Sequence, residues 1–202
     1  MDFDDFAVRG ILFRMPNLRH DLPSVPKPET LNFAFELYEA GWASLEISIG
    51  GRTFSIPAFG NTTDGLGDIV RAALQVATGE SRVGVILDEE PRRWGLALEP
   101  AGLSDDNERL SRLTLRDGGT ALSAEGWSNQ PVWRWTEQPV LEGYVTTDTF
   151  ARAAQVVTAS ARARYSDDDY RQRWGFVGGL EGFPLRALKA LETALTIPEY
   201  RE

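Results

Sequence analysis

Apolar residues recur at every second position at Leu31, Phe33, Phe35 and Leu37, and the alternation resumes over residues 43–49 and 52–58. A period of two places one side of a strand on a core and leaves the other side wet. Gly50 and Gly51 separate the last two runs, and glycine accepts the positive φ of a two-residue hairpin turn. That turn sets Ile47 opposite Phe54 and Leu45 opposite Ile56 on the apolar side. Glu46 then faces Ser55, and Ser48 faces Thr53, on the polar side. The two strands agree with the turn, so register is predicted together with the hairpin.

Beyond residue 60 the period lengthens. Leu66, Ile69, Val70, Ala73, Leu74 and Ala77 share one helical face over residues 64–78. Thr62, Thr63 and Asp64 are its N-cap candidates, and Gly79 stops it. Residues 82–88 and 94–99 predict a second hairpin across Glu90-Pro91-Arg92-Arg93, with proline at the second turn position. Short strands are expected at 109–116, 120–125, 131–136 and 139–145, and another at 6–15 before the proline-rich loop 16–28. A helix beginning at Thr147 or Asp148 carries Phe150, Ala154, Val157, Ala161 and Tyr165 on one face. A last helix opens at Pro184 and carries Leu185, Leu188, Leu191 and Leu195. With no repeat and no break in composition, residues 1–202 read as one α+β domain. The expected architecture is a mostly antiparallel sheet of about seven or eight strands with two or three helices on one face.

Composition narrows the function. The 202 residues are 42% hydrophobic with six Trp and ten Phe, enough for a sizeable core. The net charge of −9 opposes nucleic-acid binding and favours a basic protein partner. Cysteine is absent, which excludes disulfides, thiolate nucleophiles and cysteine-ligated zinc. The N-terminal stretch Met1-Asp2-Phe3-Asp4-Asp5-Phe6 is acidic where a signal peptide is basic, and no apolar run is long enough for a bilayer. A cytoplasmic protein without membrane association is expected.

Few residues offer chemistry. His20 is the only histidine, and its charged, proline-rich surroundings read as a solvated loop rather than a catalytic base. Asp167-Asp168-Asp169 and Ser104-Asp105-Asp106-Asn107-Glu108 lack calcium-loop spacing and read as solvated loops. Gly65-Leu66-Gly67 lacks the third glycine and the lysine of a phosphate-binding loop. No catalytic residue, metal or cofactor is therefore predicted. Charge for a partner would come from Asp88, Glu89, Glu90, Asp167, Asp168 and Asp169. Trp133 and Trp135 fall on one face of a strand and, with Trp127, are candidates to floor a ligand pocket, against the alternative that they are core.

Asp64, Leu66, Gly67 and Asp68, then Gly79, then Asp88, Glu90, Pro91 and Trp94, and finally Trp174, Phe183, Pro184 and Leu188 form a pattern over residues 42–195. It resembles a recurring group of uncharacterised bacterial proteins. In the group an Asp-x-Leu-Gly-Asp unit follows a hairpin, an Asp-Glu-Pro-like turn precedes a Trp, and Trp…Phe-Pro…Leu closes the chain. This chain departs by one extra acidic residue in that turn. The resemblance implies the fold and a bacterial origin. Small acidic proteins of this kind are often the neutralising partners of toxins. The expected function is thus non-enzymatic protein binding, as an immunity protein against a basic bacterial toxin. The alternative is a carboxylate-dependent hydrolase or a small-ligand binder with a Trp-lined pocket.

Overall fold

The structure is a computed structural model that describes residues 26–60, 62–90, 92–120, 138–174 and 182–196. The expected strands 6–15 and 131–136, nearly all of strand 120–125, and His20, Pro91, Trp127, Trp133 and Trp135 lie outside the described residues.

Among the described residues, seven antiparallel strands and four helices make an α+β architecture. Strands β1 (Leu31–Leu37), β2 (Trp42–Ile49) and β3 (Arg52–Gly60) form one sheet in the order β1-β2-β3. The Gly50-Gly51 turn gives the predicted register, Ile47 against Phe54 and Leu45 against Ile56. Gly50 and Gly51 take φ of 55° and 81°, values that favour glycine. Leu45, Ile47 and Ile56 are fully buried and Phe54 is half-buried, while Glu46 and Ser55 are exposed. Ser48 and Thr53 share a hydrogen bond of 2.8 Å on the polar side.

Helix α1 (Gly65–Ala77) then leads to β4 (Val83–Asp88), β5 (Arg92–Leu103), β6 (Arg109–Thr120) and β7 (Leu141–Thr146). These pair in the order β4-β5-β6-β7 as a second sheet. Among the described residues the expected single sheet is thus two, of three and four strands. The reason is the connection: a helix rather than a hairpin joins β3 to β4, and these two strands do not pair. The second sheet also departs from simple alternation, because β5 is buried at every position from Arg93 to Leu98.

Helix α2 (Thr147–Arg164) starts where the sequence predicts, with Thr146 as N-cap accepting the Thr149 N–H at 3.1 Å. Phe150, Ala154, Val157 and Ala161 are buried, and Phe150 meets Phe33 of β1 edge-on at 6.1 Å. Helix α4 (Leu185–Thr196) buries Leu188, Leu191, Ala194 and Leu195. Helix α1 lies against α2, α4 and β4, closing one core over the inner face of the first sheet. The fourth helix, α3 (Asp167–Trp174), corrects the reading of Asp167–Asp169 as loop. Its two buried aromatics, Tyr170 and Trp174, anchor it among Phe35, Phe59 and Phe183.

Candidate functional site

Glu89 and Glu90 lie between the end of β4 at Asp88 and the start of β5 at Arg92. The Glu89 N–H donates to the Arg92 carbonyl at 2.7 Å and closes the turn. Two of its three carboxylates are committed inside the fold. Asp88 is buried and faces the Arg93 guanidinium at 3.6 Å. Glu89 accepts the indole N–H of Trp94 at 2.5 Å, and that indole packs on Phe54 with centroids 5.0 Å apart. Glu90 is exposed at the tip. Arg92 lies over the Trp94 ring at 5.6 Å and 3.8 Å from Asp117, so it does not neutralise Glu90 by pairing with it.

Asp167, Asp168 and Asp169 form the first turn of α3, where carboxylates favour the positive end of the helix dipole. Ser166 caps the helix: the Asp169 N–H donates to its hydroxyl at 3.1 Å, and that hydroxyl donates back to the Asp169 carboxylate at 2.7 Å. This is a capping box with Asp in the usual place of Glu. The Ser166 hydroxyl, and after it the Ser166 N–H, hold the Asp169 carboxyl below the ordinary carboxylate range. All three carboxylates remain exposed.

Tertiary contacts bring these two segments to one end of the molecule. Gly60 lies against both the Asp88 carbonyl and the Trp42 indole. Next to Trp42, the Gly41 N–H donates to the Arg173 carbonyl at 2.7 Å, tying the β1–β2 turn to α3. The turn between them exposes Tyr38 and Glu39. Glu39, Glu90, Asp167, Asp168 and Asp169 are exposed carboxylates on the three segments that these contacts tie together.

The same end holds the Asp-Gly-Leu-Gly-Asp unit. Asp64 is the N-cap of α1, accepting the Gly67 N–H at 3.3 Å and the Arg71 guanidinium at 2.8 Å. Arg71 also donates to Asp68 at 2.7 Å, so one guanidinium bridges two carboxylates. Burial pushes the Asp68 carboxyl up, against the opposing hydrogen bond from Arg71. Both glycines have packing reasons. A Cβ at Gly65 would stand 2.5 Å from Phe59 and 2.7 Å from Leu87, and one at Gly67 would collide with the Asp64 carboxylate. The unit therefore builds a helix start. Arg71 was not among the sequence candidates; its place on the Asp64–Asp68 side of α1 was the available signal. Tyr170 was also missed. Its hydroxyl and that of Thr63 are buried and unpartnered among the described residues. Burial, and secondarily the Asp64 charge, push the Tyr170 phenol up.

At the opposite end, a cleft of about 1690 Å³ lies between the C-terminal turn of α1, the start of α2 and the β5–β6 connection. It exceeds the roughly 300–1,000 Å³ usual for a small molecule. Its lining includes exposed Leu103 and Val156. Residues 104–108 at its rim are a turn rather than a free loop, with the Ser104 N–H on the Glu108 carbonyl at 2.8 Å. Among the described residues, no group of three potential metal ligands converges and no helix is long and apolar enough to cross a membrane. Comparison with protein-family models, curated proteins and solved structures finds no match to the chain.

Proposed function

We propose that this chain is a non-enzymatic, acidic protein-binding domain that neutralises a basic bacterial toxin as its immunity partner. The exposure of the Glu90, Asp167, Asp168 and Asp169 carboxylates, on segments tied to one another through Gly60, Trp42 and Gly41, carries this reading. Separate turns supply those exposed carboxylates, and the −9 net charge extends their field. Such a field steers a basic partner into encounter. Asp88 and Glu89 serve it indirectly, by fixing the turn that presents Glu90.

Co-expression with the product of the adjacent reading frame, followed by association kinetics at low and high salt, tests the reading. Relief of that product's toxicity is expected, through a direct complex. Glu90→Gln with Asp167→Asn and Asp168→Asn should slow association and flatten its salt dependence, because salt screens only the long-range term. No basic protein partner, alongside saturable binding or turnover of a small molecule, would favour the alternative built on Trp127, Trp133 and Trp135.

A further inference from the structure

The first sheet has two unlike faces. Phe33, Phe35, Leu45, Ile47 and Ile56 are buried in the core, and the period of two turns Ala34, Glu36, Glu46, Ser55 and Pro57 the other way, where all five are exposed. A depression of about 540 Å³ lies across this outer face. Ser160 and Arg164 of α2 also line it. Tyr38, 39% exposed, reaches back to the face, its hydroxyl donating to the Ser44 hydroxyl at 3.1 Å.

Register makes Glu36 and Glu46 diagonal neighbours here, since Ala34 pairs with Glu46 and Glu36 with Ser44. Diagonal positions on one sheet face lie roughly 7–8 Å apart, so the two carboxylates repel and one cation can reach both. The other diagonal of the same four positions is Ala34 and Ser44, whose small side chains leave room between the carboxylates. Elsewhere the chain answers its carboxylates with arginine. Arg71 spans Asp64 and Asp68 at 2.8 and 2.7 Å, and Arg112 holds Glu142 at 2.7 Å across β6 and β7. Glu36 and Glu46 form no ion pair among the described residues, with Arg164 at the rim included.

We propose that this outer face receives an arginine side chain of the basic partner, its guanidinium between Glu36 and Glu46 and its stem over Ala34. The inference rests on the protein-binding reading above and gives it a second, short-range contact. Charge complementarity carries it: two exposed like charges lack a counter-charge across a gap that one guanidinium spans. A planar fork suits two carboxylates better than an ammonium does. The exposed Tyr38 ring, two positions beyond Glu36 on the same face, offers the cation an aromatic surface, as Trp94 does for Arg92 at 5.6 Å.

Backbone amide NMR shifts of the full chain test the site, with a blocked Ala-Arg-Ala-Arg-Ala peptide as the probe and its citrulline counterpart, neutral and of like shape, as the control. The arginine peptide should move Ala34, Ser44, Glu46 and Ser55 saturably, and the citrulline peptide should not. Glu36→Gln with Glu46→Gln should weaken binding roughly tenfold or more, since both charge-assisted bonds are lost. The same variant should keep the parent's unfolding midpoint or raise it, because it relieves a repulsion. Ala34→Arg, which supplies the cation from the chain itself, should block the peptide with both carboxylates in place. No saturable shift on this face would overturn the proposal, and so would equal binding by the Gln variant, which would mark general attraction to an acidic protein. Equal shifts with magnesium chloride at the same ionic strength would overturn it in favour of a metal ion. A captured basic partner that binds the Gln variant as tightly as the parent would sink this contact and leave the protein-binding reading intact. Peptide binding at the site with no protein partner found would do the reverse.

Discussion

The backbone N–H of Leu37 donates to the phenol oxygen of Tyr165 at 3.0 Å, across 128 positions of the chain. Both residues are buried, so the phenol stands where a neighbouring strand's carbonyl would otherwise be. Tyr165→Phe keeps the ring and removes the acceptor. A buried N–H left unsatisfied costs about 1–3 kcal/mol, and the urea midpoint should fall accordingly. Amide exchange should quicken at Leu37 before Tyr38, whose N–H is held by the Trp42 carbonyl. An unchanged midpoint with Leu37 still protected would deny the phenol this role.

Leu188 is 2% exposed within the buried stripe of α4. Leu188→Ala should destabilise the protein by roughly 2–5 kcal/mol, combining lost transfer energy with the cavity left behind. Chemical denaturation measures this directly, and a midpoint equal to the parent's would place the stripe outside the core.

Gly65→Ala separates packing from propensity by sign. Alanine in a helix is intrinsically favoured over glycine by roughly 0.5–1 kcal/mol. Here the added methyl would meet Phe59 at 2.5 Å and Leu87 at 2.7 Å, both fully buried. Overpacking of that kind costs typically about 1–3 kcal/mol, so net destabilisation is expected. A rise in melting temperature would show that the core yields.

Two carboxylates should respond to pH in opposite directions. Burial raises the Asp68 carboxyl in the folded state. The native protein then binds the proton more tightly than the unfolded chain, so this group's contribution falls as pH rises from the ordinary carboxylate value through the raised one. The Ser166 hydroxyl lowers the Asp169 carboxyl, whose contribution is present above the ordinary value and is lost as pH falls through the lowered one. Urea midpoints of Asp68→Asn and Asp169→Asn against pH should therefore diverge from the parent with opposite slopes. Slopes of the same sign would contradict one of the two assignments.

Much of the fold was legible in local pattern. The Gly50-Gly51 register follows from a two-residue turn and period-two alternation, both of which act within a few residues. The α1 span follows from helical spacing, an Asp64 cap and Gly79, whose φ of 108° ends the helix. The stripe of α4 likewise needed only its periodicity. Helix α3 was missed because Asp167-Asp168-Asp169 has no apolar period. Its start was nonetheless written in Ser166 and Asp169, three residues apart, as a capping box.

Local pattern also carried the number of charges but not their fate. Asp88, Glu89 and Glu90 are equivalent as sequence, yet burial against Arg93, an indole hydrogen bond and solvent separate them. Only contacts between distant segments decide that, as they decide that Asp88 and α3 share one end through Gly60, Trp42 and Gly41. The sequence by itself determined turns, caps, periods and net charge, because these depend on neighbours along the chain. Tertiary structure alone decided the division into two sheets and the separate fates of the carboxylates. Each of those depends on which surfaces meet when the core closes.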